Sequence, residues 1–124
     1  MEVSKFEILE GKTIHVNKHI NKILNDQILK IVSDKYCRMI LTVSLIEPKS
    51  ATDLSNETEI PISTIYRRLQ DLMDAKLLKI TGSINNDGKK HFLYQSKIKE
   101  INTIMNGSEI DTFLVLANKH DSNL

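Results

Sequence analysis

Residues 50–78 read SATDLSNETEIPISTIYRRLQDLMDAKLL, and this stretch decides the fold. Ser50, with Asp53 three residues on, stands in a capping-box relation that starts a short helix, and Ala51 and Leu54 face inward. Residues 56–59 make the turn and Ile60 plugs it. Pro61 then opens a second helix where a missing N–H loses no partner. That helix is expected over residues 61–75. Its Ile62, Ile65, Leu69, Leu72 and Met73 recur as one apolar stripe. Ser63, Arg67, Gln70 and Asp74 lie opposite, and Thr64, Tyr66 and Arg68 flank the exposed face. Arginine can bind a guanine edge or a phosphate, and hydroxyls can bind phosphate. A helix anchored by its stripe thus presents groups suited to a nucleic-acid groove.

The chain beyond this helix extends the pattern. Residues 79–96 alternate like a strand, break at Asn85-Asn86-Asp87-Gly88 and resume as Lys89-Lys90-His91-Phe92-Leu93-Tyr94. Helix, turn, helix and basic hairpin outline a winged helix-turn-helix DNA-binding domain over residues 25–96. The candidate contacts are Ser63, Thr64, Tyr66, Arg67 and Arg68 on the helix, and Lys89 and Lys90 on the wing. Arg67 is the best placed for a base edge; Arg68, Ser63 and Thr64 suit backbone oxygens. Tyr66 is open between a contact and packing on the helix flank. The two wing lysines suit phosphate or the minor groove, or they keep an exposed hairpin soluble.

Upstream, Asp34 reads as the N-cap of a helix running to about Ile46, with Tyr36, Cys37, Ile40, Leu41, Ser44 and Leu45 at three- and four-residue spacing. Glu47-Pro48 ends it, because a residue before proline disfavours helix. Asn17 caps an earlier helical stretch with Ile20, Ile23, Leu24, Gln27, Ile28 and Ile31 on one side, and Asn25-Asp26 is a point of interruption. Residues 5–16 suggest a small hairpin about Glu10-Gly11-Lys12, with a helix through residues 6–9 as the competing reading. Downstream, Asn106-Gly107 is a hairpin signal that makes residues 97–118 a second β-hairpin, although Ile101, Ile104 and Met105 also suit a helix. The expected organisation is α+β, mainly α: a flanking segment over 1–24, the domain over 25–96, a β-hairpin over 97–118 and a disordered tail over 119–124.

Composition fits a soluble, cytoplasmic protein of one domain. The 124 residues are 40% hydrophobic and 27% charged, with no apolar run of membrane-spanning length. The N-terminus lacks a secretion signal's pattern, and the lone Cys37 makes no internal disulfide. Net charge is only +1, but residues 60–92 hold six Lys/Arg against three Asp/Glu, so the surplus sits on the helix and wing. No phosphate loop, nucleophile elbow or zinc signature is present, and the expectation is no enzyme, no metal and no cofactor. His15 and His19 have ligand spacing only if their segment is helical, and the strand reading of residues 14–16 argues against that.

At Ile60-Pro61-Ile62-Ser63-Thr64-Ile65-Tyr66-Arg67-Arg68-Leu69, followed by Leu72, Ala75 and Leu77-Leu78, the chain resembles the ArsR-like winged-helix transcriptional regulators, above all the compact archaeal type with an IPxSTxYRRL helix. The resemblance covers residues 28–94. It implies sequence-specific binding of double-stranded DNA, usually as a homodimer joined through the segments flanking the domain. Two departures stand out. Lys76 occupies a position where relatives often carry glycine, and one cysteine leaves arsenic or zinc sensing without its ligands.

The apolar flanks Ile20, Ile23, Leu24, Phe113, Val115 and Leu116 exceed what the core obviously uses, which points to a homodimer. A two-fold pair with both helices engaged predicts half-sites roughly 34 Å apart, or a multiple of that. The competing reading is an adaptor whose winged helix docks a protein of the transcription machinery. A small-molecule effector between the flanking hairpins and the first helix would find apolar lining but no convergent polar group.

Overall fold

Asp34 and Ser50 each end one segment and begin the next. The computed structural model describes residues 12–117 except 18, 20 and 85, and in it both side chains sit at helix N-caps. Asp34 accepts the Tyr36 backbone N–H at 3.1 Å and Ser50 accepts that of Asp53 at 3.0 Å. Each removes one unpaired donor from a helix start, typically worth about 1 kcal/mol. The elements in order are β1 (Thr13–Val16), α1 (Lys22–Ser33), α2 (Lys35–Val43), α3 (Ala51–Thr58), α4 (Ile62–Asp74), β2 (Leu78–Ile84), β3 (Lys90–Ser96), β4 (Ile98–Asn106) and β5 (Glu109–Leu116). Helices take 42 of the described residues and strands 35, so the fold is α+β with helix only modestly ahead. No helix among the described residues is long and apolar enough to cross a membrane.

The core gathers one stripe from each helix. Ile28 and Ile31 of α1, Cys37, Ile40 and Leu41 of α2, Leu54 of α3, and Ile65, Leu69 and Leu72 of α4 are buried together. Ile60 is buried at the junction of α3 and α4, as its role of plug requires. Truncating any of these leucines or isoleucines to alanine typically costs about 2–5 kcal/mol.

Several boundaries differ from the sequence reading, each for a local reason. The Asn17 side chain accepts the His19 N–H at 2.9 Å and turns the chain, so α1 starts at Lys22 without a side-chain cap. Asn25 and Asp26 do not interrupt it; the helix runs across the predicted 24/25 boundary with Asn25 buried. Ile23, expected on its inner side, is 77% exposed. Helix α2 stops at Val43, short of Ile46: Leu45 N–H turns back to the Thr42 carbonyl, and the Ser44 carbonyl accepts the Ser96 N–H at 3.1 Å instead of a helical partner. Thr58 stays inside α3, donating its hydroxyl proton to the Leu54 carbonyl, so the turn shrinks to residues 59–61. Ile62 leaves the apolar stripe and is 42% exposed.

The two expected flanking hairpins merge into one sheet of order β1-β5-β4. Strand β1 pairs with β5, Thr13 opposite Val115 and Val16 opposite Thr112. The opposing arm of the predicted 5–16 hairpin, Ile20 and the 119–124 tail lie outside the described residues. The β4–β5 hairpin forms as expected. Its turn is Gly107-Ser108, with φ +69 at Gly107, which a two-residue hairpin turn needs and glycine supplies without strain.

The second sheet is β2–β3, with Leu78 opposite Ser96 and Ile84 opposite Lys90. Lys49, between α2 and α3, forms an antiparallel bridge to Tyr94 of β3, with both N–H groups donating at 2.8–2.9 Å. This bridge ties the hairpin base to the chain entering α3.

Candidate nucleic-acid interface

Helix α4 is held by its buried stripe and stopped by its C-terminal turn. Leu77 N–H donates to the Leu72 carbonyl at 3.0 Å, and Lys76 N–H donates to that of Met73 at 2.9 Å. This double closure requires a left-handed residue after the cap, and Lys76 adopts it with φ +62. Lys76 thus fills, without glycine, the left-handed position this helix end requires. Leu72 and Leu77 are both fully buried, so packing holds the lysine backbone in that conformation.

With the stripe inward, Ser63, Arg67, Gln70 and Asp74 form the outermost line of α4, and all four are exposed. Gln70 Nε2 donates to Asp74 Oδ1 at 2.9 Å, so the C-terminal half of that line is a closed polar pair. Ser63 and Arg67 occupy its N-terminal half. Thr64 is half-buried, and Tyr66 is 55% exposed on the flank. The Tyr94 phenol is pushed up, first by burial and then by the charge of Tyr66. Tyr66 presents its ring to solvent, and its two readings stay open.

Arg68 does something the sequence did not suggest. Its Nε lies against Asp34 Oδ2 at the start of α2, and its guanidinium carbon is 5.8 Å from the centre of the Tyr36 ring. The Nε–H is not aimed at the carboxylate, so the contact is an ion pair rather than a directed hydrogen bond. The two side chains are 23% and 28% exposed. Arg68 thus braces α4 against α2, which removes it from the groups presented outward. No local pattern announced this, because the partner belongs to a different helix.

Asp34 collects more than the arginine. Cys37 Sγ lies 3.3 Å from its Oδ2, and burial together with this carboxylate pushes the thiol up to about 12. Beside them runs a cleft of about 450 Å³ between α1, α2 and α4, lined by Lys30, Asp34, Arg68, Asp71 and Asp74 among others. Asp34 and Asp71 thus gather on the α1–α2 side of α4, while Asp74 borders both this cleft and the outer line that Ser63 and Arg67 begin.

The hairpin brings the other cations. Directly opposed residues share a face, so Ile80, Phe92, Ile84 and Lys90 lie on one side of β2–β3, and Lys79, Thr81 and His91 on the other. Lys90 Nζ sits 5.1 Å from the Phe92 ring centre. Lys89 N–H donates to Asp87 Oδ1 at 3.1 Å in the turn, next to Gly88 with φ +82. Both lysine residues are exposed. Lys49, by contrast, has its ammonium between Glu47 at 2.9 Å and Glu57 at 3.0 Å.

Elsewhere, His15 is in β1, stacked on Phe113 at 4.6 Å, while His19 follows in the turn, so the pair is not on one helix face. Among the described residues no cluster of three His, Cys, Asp or Glu is placed to hold a metal ion. No protein-family model matches the chain, and no curated protein matches it significantly.

Proposed function

We propose that this chain is a winged-helix protein that binds double-stranded DNA as a cytoplasmic transcriptional regulator, with α4 in the major groove and the β2–β3 hairpin as its wing. One observation carries the reading. The outer N-terminal line of α4 presents Ser63 and Arg67, with Thr64 and Tyr66 on its flanks, while a basic hairpin follows directly. The order α2, Lys49 bridge, α3, three-residue turn, α4 and hairpin is the order of a winged helix. In this reading Arg67 reaches a base edge or phosphate, Ser63 and Thr64 give hydroxyls to phosphate oxygens, and Lys89 and Lys90 meet the backbone beside the groove. Arg68 sets the pose of α4 and touches no DNA. Each phosphate neutralised adds about 0.9 to the slope of log affinity against log salt. A second copy gives a two-fold complex on a near-palindromic site.

A second reading has its own support. Ile62 and Tyr66 on α4, and Ile80, Ile84 and Phe92 on the wing, are all exposed apolar groups. With a net charge of only +1, they suit an adaptor that docks a protein. A duplex-binding titration at several salt concentrations separates the two. DNA binding predicts a steep slope and a loss of about 5- to 150-fold in Arg67→Ala, from about 1–3 kcal/mol per specific contact. Affinity indifferent to both salt and Arg67 supports the adaptor.

A further inference from the structure

The fold consumes part of the apolar flanks that suggested a homodimer, and Ile23 stays exposed. Leu24 and Leu116 pack against the core and Phe113 is buried. An open edge lies on β4, an outer strand of the three-stranded sheet, beyond which no described strand lies. Its run Ile101-Asn102-Thr103-Ile104-Met105-Asn106 contains no charged residue and no proline, the usual devices that keep an open edge from pairing. The irregularity between Ile98 and Glu100, with Lys99, falls before this run. Asn106 and Glu109 close the two-residue turn and bond to each other. By antiparallel alternation, Asn102 and Ile104 also bond toward β5, and Ile101, Thr103 and Met105 turn their N–H and C=O groups outward.

The side chains of the same run carry a knob and a hole. Ile101 faces the helices, opposite buried Leu114, and lines a cleft of about 340 Å³ with Val32, Leu41, Leu45 and Ile98, to which Arg38, Lys99 and Glu100 add charged groups. Met105 is on the same face of the strand yet is 78% exposed. In an antiparallel pair of β4 strands with the two-fold axis at Thr103, Met105 of each copy stands opposite Ile101 of the other. That register brings a flexible thioether side chain to the mouth of this cleft, twice over. Ile104, 48% exposed on the other face, then stands opposite Asn102.

We propose that a second copy of this chain pairs along β4 in this register, each Met105 entering the other copy's cleft, to make one continuous six-stranded sheet. A two-fold pairing uses the β4 edge of both copies, so this contact closes at two. This names the surface for the homodimer proposed above, and its readout needs no DNA.

The test is sedimentation equilibrium of the full chain, without DNA, at tens of micromolar. The expected mass is twice the 14.2 kDa of one chain. Met105→Lys halves it, Met105→Leu preserves it, and Ile84→Lys on the wing leaves it unchanged. Thr103→Pro, which removes an outward N–H, also halves it; should that variant misfold, Met105→Lys decides, since its side chain is open to solvent. A monomer at hundreds of micromolar, or a dimer that Met105→Lys leaves intact, overturns the pairing. A dimer that binds no duplex defeats the DNA reading alone, and a duplex-binding monomer defeats the pairing alone.

Discussion

Arg67 and Arg68 are adjacent and chemically identical, yet the structure gives them different surroundings, so under the proposed function replacing each by alanine gives opposite phenotypes. Arg68→Ala removes an ion pair with Asp34 whose members are about three-quarters buried, and a guanidinium contact with the Tyr36 ring. An exposed pair contributes about 0.2–1 kcal/mol, and removing one partner of a partly buried pair costs more because the Asp34 charge is left uncompensated. The ring contact and the packed stem of the arginine add about 1 kcal/mol. The expected destabilisation is about 2 kcal/mol, a fall of about 8 °C in Tm for a chain of this length. Asp34→Asn keeps the cap on α2, since asparagine caps as well as aspartate, and removes only the charge. It should reproduce part of the fall, and high salt should narrow its difference from the wild type.

Arg67→Ala removes an exposed side chain from the outer line of α4, and its Tm should stay within about 2 °C of the wild type, as for surface substitutions generally. Thermal unfolding by circular dichroism and duplex affinity well below Tm are measured on the same three proteins. Arg68→Ala should melt early and bind duplex within twofold of the wild type; Arg67→Ala should melt normally and bind poorly. An Arg68→Ala protein with unchanged Tm and lost affinity would refute the division, and would return Arg68 to the groove.

Other expectations follow from single residues. Lys76 holds φ +62 at the end of α4, so Lys76→Gly should relieve left-handed strain and stabilise the protein by about 0.5–1 kcal/mol, read as a higher urea midpoint with an unchanged slope. A lower midpoint would mean the lysine side chain contributes more than its backbone costs. Cys37 should resist alkylation by iodoacetamide at pH 8 in the native state and react once unfolded, because its thiol holds its proton up to about 12. The unfolded chain releases that proton near 9.0. This group's contribution to stability is therefore whole below that pH and declines as pH rises toward 12, which urea midpoints of wild type and Cys37→Ser across that window would reveal. Ser50→Ala should lose the bond to Asp53 N–H and destabilise by about 1 kcal/mol; no change would show the α3 start held by packing alone.

What the sequence disclosed was governed by short-range chemistry. Asp34 and Ser50 cap helices through bonds that reach two or three residues, and Gly88 and Gly107 sit at positive φ in turns read from neighbouring residues. The buried stripe of α4 was legible from its spacing, although Ile62 at its first turn lies too near the helix start to reach the core. What stayed hidden depends on distant partners. Arg68 looked like its neighbour Arg67 until α2 brought Asp34 against it. Thr13–Val16 reads as a strand from its own residues, but nothing local says that it pairs with β5 rather than with the segment before it. The apolar flanks were legible as apolar and not as core, because their partial consumption by the sheet and α1 is set by tertiary packing. For the candidate site, Ser63 and Arg67 stand where the helical period puts them, whereas the exposed apolar face of the wing emerged only from the β2–β3 register.

The central claim is that the outer N-terminal line of α4 and the β2–β3 wing meet a duplex. The most direct test is a titration of isotopically labelled protein with a duplex selected from random sequence, followed by backbone amide chemical shifts. The account predicts that the largest changes fall on Ile62, Ser63, Thr64, Tyr66 and Arg67, and on the wing about Lys89 and Lys90, with Asp71 and the acidic cleft beside it unmoved. Changes centred on that cleft, or a spectrum that no duplex alters at low salt, would contradict it.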